Sequence, residues 1–208
     1  MDALEALNRE LLDAAESGDL KAAEECLKNG ADVHYQDGWN KETPLHKAAE
    51  GDHTDMASLL ISAGADIHSQ DDRKETPLHK AAKGNHTNMA SFLISAGADI
   101  HSQDDEKQTP LHVALENNHK DMAALLVSKG ADIKIQYTFE LLDAAESGDL
   151  KAAEECLKNG ADVHYKGGWN KQTSLHVAIE NNHKDMAALL VSKGADIKIQ
   201  YNFVSIPQ

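Results

Sequence analysis

Thr43-Pro44-Leu45-His46-Lys47-Ala48-Ala49 is the stretch whose reading decides the fold. It returns 33 residues later as Thr76-Pro77-Leu78-His79-Lys80-Ala81-Ala82, and again at the same interval as Thr109-Pro110-Leu111-His112-Val113-Ala114. A degraded copy stands at Thr173-Ser174-Leu175-His176-Val177-Ala178. A fixed period of this length marks a repeat architecture, in which each unit is one supersecondary element that buries its apolar face only against its neighbours. Proline suits the first turn of a helix, where its missing N–H costs nothing. Each box therefore opens a short helix.

Outward from the box, each unit reads the same way. A second helix follows, about Thr54 to Ser62 in the unit that begins at Thr43, with Met56, Leu59 and Leu60 apolar. Gly64-Ala65-Asp66-Ile67-His68 then stops the helix and starts an arm. Upstream, Leu4, Leu7, Leu11 and Ala15 place residues 2–16 on a helix, Gly18 ends it, and Asp19 caps a helix over 20–29. Val33 to Thr43 is one residue longer than Ile67 to Thr76, so the first arm, carrying Trp39, should bulge.

The box, the Gly-Ala-Asp-Ile/Val stop and the 33-residue period resemble the ankyrin-repeat family, over about residues 9–201. The resemblance implies an all-α solenoid of six stacked helix-turn-helix repeats with short β-hairpin-like fingers. It also implies a protein-binding scaffold whose partner lies on a concave face made by finger tips and short first helices. One departure stands out. Where the family has glycine at the finger turn, this chain has Lys41, Lys74, Lys107 and Lys171. Glycine is favoured there because the backbone turns through positive φ, so the fingers are expected to turn differently.

Residues 11–35 and 141–165 are identical, and 111–137 matches 175–201 except that Leu115 becomes Ile179. The array is thus expected to divide into 1–137, repeats one to four, and 138–208, duplicated repeats five and six with a capping tail. Two repeats fall below the roughly three needed for independent stability, so 138–208 is expected to dock on repeat four. The seam is short and lacks a Thr-Pro box, which predicts a missing finger there. Phe139 would fill an apolar slot on repeat four, and Phe203-Val204-Ser205-Ile206 would cover repeat six. If that last face were open, a second molecule's first repeat could take it head to tail.

Composition narrows the function. The chain of 208 residues carries a net charge of -15 and only 4% aromatic residues. That argues against nucleic acid and anionic membrane as partners, since both need basic patches; it fits a solvated acidic surface that keeps the chain soluble and is compatible with a basic protein partner. No run of about 18 apolar residues exists to cross a membrane. Met1-Asp2-Ala3-Leu4-Glu5 has no basic region followed by an apolar run, so no secretory signal is expected. Cys26 and Cys156 sit where other repeats carry Leu60 and Leu126, which reads as small buried hydrophobes in a reducing, intracellular, cytoplasmic setting. Delivery into a host cell stays open.

The twelve histidines fall into repeat registers. Equivalent residues in stacked layers lie ~10 Å apart, whereas zinc ligands all sit ~2 Å from one ion. No metal, no cofactor and no catalytic set is expected. By the resemblance, the register of His46 hydrogen-bonds backbone across the turn. Asp71-Asp72 and Asp104-Asp105 read as acidic finger tips. The candidate partner-binding residues are Trp39, Asn40, Glu42, Lys47 and Glu50 in the first finger and helix, and Asp72, Arg73, Glu75, Lys80 and Lys83 in the second. Asp105, Glu106, Gln108, Val113 and Glu116 follow in the third, with Trp169 as the copy of Trp39. The expected function is a non-catalytic protein–protein interaction scaffold. The alternatives are a self-associating assembly unit joined through its repeat ends, and an effector or regulator that blocks a partner enzyme's site.

Overall fold

The structure, a computed structural model, describes residues 3–167 and 171–197. They form twelve helices and two compact units, residues 1–131 and 132–208. Unit 1 holds α1 (Ala3–Ser17), α2 (Leu20–Lys28), α3 (Pro44–Glu50), α4 (Thr54–Ser62), α5 (Pro77–Lys83), α6 (Thr87–Ser95), α7 (Pro110–Glu116) and α8 (Lys120–Ser128). The odd-numbered helices pack in one row, α1 on α3, α3 on α5 and α5 on α7, and the even-numbered helices in a second row. Unit 2 holds α9 (Ile133–Ser147), α10 (Leu150–Lys158), α11 (Ser174–Glu180) and α12 (Lys184–Ser192), with α9 on α11 and α10 on α12.

The sequence box explains the seven-residue helices. Thr43 is the N-cap of α3 and Pro44 its first residue. The N–H of Thr43 donates to His46 Nδ1 at 3.2 Å, and the threonine hydroxyl lies 2.8 Å from the same nitrogen. His46 therefore does what glutamate does in a capping box. Because Nδ1 accepts, Nε2 carries the proton and donates to the carbonyl of Glu75 in the next repeat at 3.0 Å. His79 repeats this toward Gln108 at 3.1 Å. The expected backbone role for this register holds, and it ties one repeat to the next.

The register of His53 does a matching job that the sequence did not announce. The Nε2 atoms of His53, His86 and His119 lie 3.0 Å from the carbonyls of Glu16, Glu50 and Lys83. In unit 2, His183 meets Glu146 in the same way. These carbonyls sit in the last turn of the preceding first helix, where intrahelical donors run out. Gly18 serves this contact: a Cβ there would lie 2.7 Å from His53 Nδ1, and its φ is +74°.

One expectation needs correction. The finger lysines do not change the turn: Lys41, Lys74, Lys107 and Lys171 have φ of 56°, 59°, 63° and 49°. The left-handed turn is kept with a side chain in place of glycine. The arms are turns; in the first, Asp32 Oδ1 accepts the N–H of His34 and Asp32 O that of Tyr35. At the seam no finger forms, as the short spacing predicts: Ile133–Ser147 is one continuous helix capped by Asp132, so residues that end as an arm elsewhere become helix. Phe139 on that helix finds an aromatic partner inside unit 2, its ring centroid 5.2 Å from that of Tyr165. The tail Phe203–Ile206 lies outside the described residues.

The core is thin, as the aromatic-poor composition requires. Leu45, Leu60, Leu78, Leu93, Leu111 and Leu126 are fully buried in unit 1, interleaved with Ala48, Ala49, Ala81 and Ala82. Cys26 and Cys156 are buried free thiols, and burial pushes both above the usual thiol range. Neither is a reactive thiolate.

Candidate functional site

The fingers of unit 1 are built on one device. Asp71 Oδ1 accepts the N–H groups of Arg73 and Glu75, at 2.9 and 2.8 Å, and Asp104 Oδ1 those of Glu106 and Gln108 at the same distances. Asp71 and Asp104 are buried, while Asp72 and Asp105 are exposed. The paired carboxylates read from the sequence thus divide into one that shapes the turn and one that faces out. Neighbouring fingers are joined through backbone: Asp72 N–H donates to Asn40 O at 2.8 Å, and Asp105 N–H to Arg73 O at 2.9 Å.

The first finger carries its extra residue between the two ends of this device. Asp37 N–H donates to Glu42 O, five residues on, whereas Asp71 N–H donates to Glu75 O, four on. The insertion displaces Trp39 from any local packing, and the indole is 92% exposed. Packing onto its own finger or the next repeat, the alternative fate for this side chain, is not what the structure shows.

A polar cleft of about 440 Å³ is lined from the end of α1, the first two fingers, α3 and α5, and Asn40, next to Trp39 in the chain, is part of it. Its residues are Glu16, Asn40, Glu42, Lys47, Glu50, Asp71, Asp72, Arg73, Lys80 and Lys83. The floor is an ion cluster. Lys80 Nζ lies 2.9 Å from Glu42 Oε1, 2.7 Å from Asp71 Oδ2 and 2.6 Å from Glu75 Oε2, and its side chain is 6% exposed. Three carboxylates thus surround its ammonium, and Glu75 Oε2 accepts a hydrogen bond from it. Lys47 Nζ holds the other Glu42 oxygen at 2.8 Å. Arg73 stands 3.8 Å from Glu75 with its side chain mostly in solvent.

Burial alone would raise the Glu42 carboxyl, but hydrogen bonds from Lys47 and Lys80 and their charges outweigh it and bring it down to about 2. Burial likewise works against the charge on Lys80 and is outweighed by Asp71, Glu75 and Glu42, so its ammonium is held well above the usual lysine range. Asp71 Oδ2 is buried without an aligned hydrogen bond, and its compensation is the Lys80 charge. A buried group of this kind is rigid, since each member loses its partner if another moves. The cluster stops at the next repeat, where Gln108 replaces Glu75 and Val113 replaces Lys80. There Gln108 Nε2 donates to Glu116 Oε1 at 2.7 Å instead.

Of the residues singled out from sequence, Asn40, Glu42, Lys47, Glu50, Asp72, Arg73, Lys80 and Lys83 come together at the cleft. Among them Glu42 and Lys80 are buried, as is Glu75 beneath, so these three support the surface rather than present themselves on it. Asp105, Glu106 and Glu116 are exposed on the third finger and helix, Gln108 is half-buried, and Val113 is buried rather than open. Trp169 lies outside the described residues. Glu16 and Asp71 were missed. A register count finds both: the Glu16 carbonyl accepts from His53 as that of Glu50 does from His86, and Asp71 stands where Asp37 and Asp104 do.

Among the described residues no group of three or more His, Cys, Asp or Glu side chains could hold a metal ion. No described helix is long and apolar enough to cross a membrane. A row of short capped helices, a row of longer ones behind it and joined fingers with side chains turned outward define a helical repeat protein. Residues 11–104, 59–137 and 141–201 match the family described as ankyrin repeats (3 copies), and the chain belongs to that family.

Among curated proteins, "Ankyrin repeat and KH domain-containing protein mask-1" of Caenorhabditis elegans is 40% identical over 62 residues, 30% of this chain and 2% of the relative. Human "Ankyrin repeat and SOCS box protein 6" is 40% identical over 57 residues, 27% of this chain and 14% of the relative. Human "Protein phosphatase 1 regulatory subunit 27" is 42% identical over 64 residues, 30% of this chain and 40% of the relative. The chain thus spans well under two thirds of each of these relatives. Ankyrin repeats generally mediate protein–protein interaction, and the family is typically non-catalytic.

Proposed function

We propose that this chain is a protein-binding module without catalytic activity of its own, and that it engages a basic protein surface through the first two fingers and short helices of unit 1. The observation that carries the reading is Trp39, 92% exposed on the finger whose next residue, Asn40, lines a cleft floored by buried ion pairs. An exposed indole beside a rigid polar surface is the kind of anchor that dominates interfaces. Charge supports a basic partner. Residues 1–131 hold 24 Asp and Glu against 12 Lys and Arg, so most of the chain's negative charge lies in unit 1. At the cleft itself exposed Glu16, Glu50 and Asp72 stand with exposed Arg73 and Lys83, so the excess there is small and the wider unit supplies most of the negative charge.

The test is quantitative capture of proteins from a cell extract on the immobilised chain, beside Trp39→Ala, Asp72→Lys and a Lys129→Glu control on a helix end away from the cleft. A hot-spot tryptophan costs at least about 2 kcal/mol when truncated, about 30-fold in affinity. The same partner should be lost with Trp39→Ala and Asp72→Lys and kept with the control. Equal recovery on Trp39→Ala overturns the assignment. A regulator that covers a partner enzyme's site is a narrower form of the same reading, favoured by the similarity to a protein named as a phosphatase regulatory subunit. It predicts that an enzyme captured this way loses activity on addition of the chain.

A further inference from the structure

The two ends of unit 2 differ from the interior of unit 1 in a way that points to an occupant. In repeats that are followed by another repeat within unit 1, the position three residues after the box histidine is alanine, and Ala49 and Ala82 are fully buried. The equivalent residue in unit 2 is Ile179, which is 41% exposed. Ala57 and Ala90 on the second helices are fully buried, but their counterpart Ala187 is half-buried, and Val191 one turn on is 39% exposed. Lys184 and Lys193 flank this apolar face and are exposed. By register, it is the kind of surface that takes the start of another repeat.

The opposite end of unit 2 offers such a start. A groove of about 620 Å³ runs between α9 and α10, and none of its lining residues belongs to α11 or α12. Ala144, Ala152 and Cys156 line it, with Glu140 and Glu155 among its exposed acidic residues. Apolar knobs flanked by lysines stand at one end of the unit, and a small-residue groove rimmed by glutamates at the other. The two sit on different layers of the unit, so the knobs of one molecule can enter only the groove of another.

We infer that the α11–α12 face of one chain docks on the α9–α10 groove of a second copy, Ile179 and Val191 entering the groove and Lys184 and Lys193 meeting its acidic rim. The contact is heterologous, because donor and acceptor surfaces differ, so it leaves a free knob face and a free groove on the pair and extends with concentration. Its ionic part weakens with salt.

The experiment is sedimentation velocity and light scattering of the full chain across about two decades of concentration, with far-UV circular dichroism to confirm folding. The mass should rise above 22.6 kDa with concentration and fall back in high salt. Val191→Glu, at an exposed site, should hold the chain at monomer mass, and so should Glu155→Lys. An equimolar mixture of those two chains should form pairs that grow no further, since each supplies one intact surface. The same start helices recur as α1 and α2, so Glu25→Lys serves as the control and should leave association unchanged. A chain that stays at 22.6 kDa throughout overturns the inference. So does association abolished by Glu25→Lys but not by Glu155→Lys, which would move the contact to α1 and α2. Association that emerges only when residues 198–208 are removed also overturns it, by assigning the face to the chain's own end.

Discussion

Lys80 is the residue on which the cleft floor depends, and its replacement by methionine isolates that dependence. The substitution keeps the length of the stem and removes the ammonium, leaving Asp71 without its cation, Glu75 with only the solvent-facing Arg73 and Glu42 with Lys47 alone. The Glu42 carboxyl lies at about 2 against an ordinary 4.5. A displacement of that size corresponds to about 3 kcal/mol of interaction. Part of this survives in the bond from Lys47, while Asp71 and Glu75 add their own loss. Removing one partner of a buried ionic group costs about 3–5 kcal/mol, and a value near the middle is expected at pH 7.

The sign with pH follows from the depressed carboxyl. Stability from Glu42 is present above the unfolded value of 4.5 and is lost as pH falls through the folded value of about 2. Wild type should therefore lose this contribution on acidification, whereas Lys80→Met has little left to lose. Urea denaturation followed by circular dichroism at pH 7 and pH 3 reads both. A gap of about 4 kcal/mol at pH 7 that narrows at pH 3 is expected. A variant within 1 kcal/mol of wild type at pH 7, or a gap that widens in acid, would refute the reasoning.

Three further outcomes follow from the same structure. His46, His79 and His112 are lowered by burial, His112 to about 4, so they stay neutral in the fold while the unfolded chain takes up protons below 6.5. Stability should be intact above pH 6.5 and fall between there and pH 4, by about 2–3 kcal/mol from His112 alone; His112→Gln should flatten that limb of a denaturation-versus-pH curve. Lys74→Gly at φ 59° removes a left-handed strain of about 1–2 kcal/mol at an entropic cost of about 0.5–1 kcal/mol. A gain of up to about 1 kcal/mol, seen as a raised Tm, is expected. Gly18→Ala meets both a φ of +74° and the ring of His53, and should cost at least about 2 kcal/mol with loss of the His53–Glu16 bond, read by amide hydrogen exchange at the end of α1.

Much of the fold was legible because the signals are local. Thr43-Pro44 states a helix start, Gly18 a helix stop and Asp19 a cap, and each acts within a few residues of itself. What the sequence did not show depends on distance. Nothing near Lys80 in the chain says that Glu42, 38 residues earlier, will share its ammonium. Asp71 and Asp72 look alike as neighbours, yet one turns inward to hold two backbone amides and the other outward. The finger lysines misled for a different reason. Positive φ disfavours a side chain without forbidding it, and repeat packing imposes the turn at Lys41, Lys74 and Lys107 whatever residue stands there. Trp39 was a candidate by residue type and loop length; only coordinates show the indole standing clear.

The central claim is that a partner sits on the first two fingers and short helices of unit 1. Hydrogen–deuterium exchange of the chain with and without its captured partner tests this most directly. Protection should concentrate in residues 37–50 and 71–83, the segments that carry Trp39 and line the cleft. Protection confined to α4, α6 and α8, with the fingers exchanging as in the free chain, would contradict it.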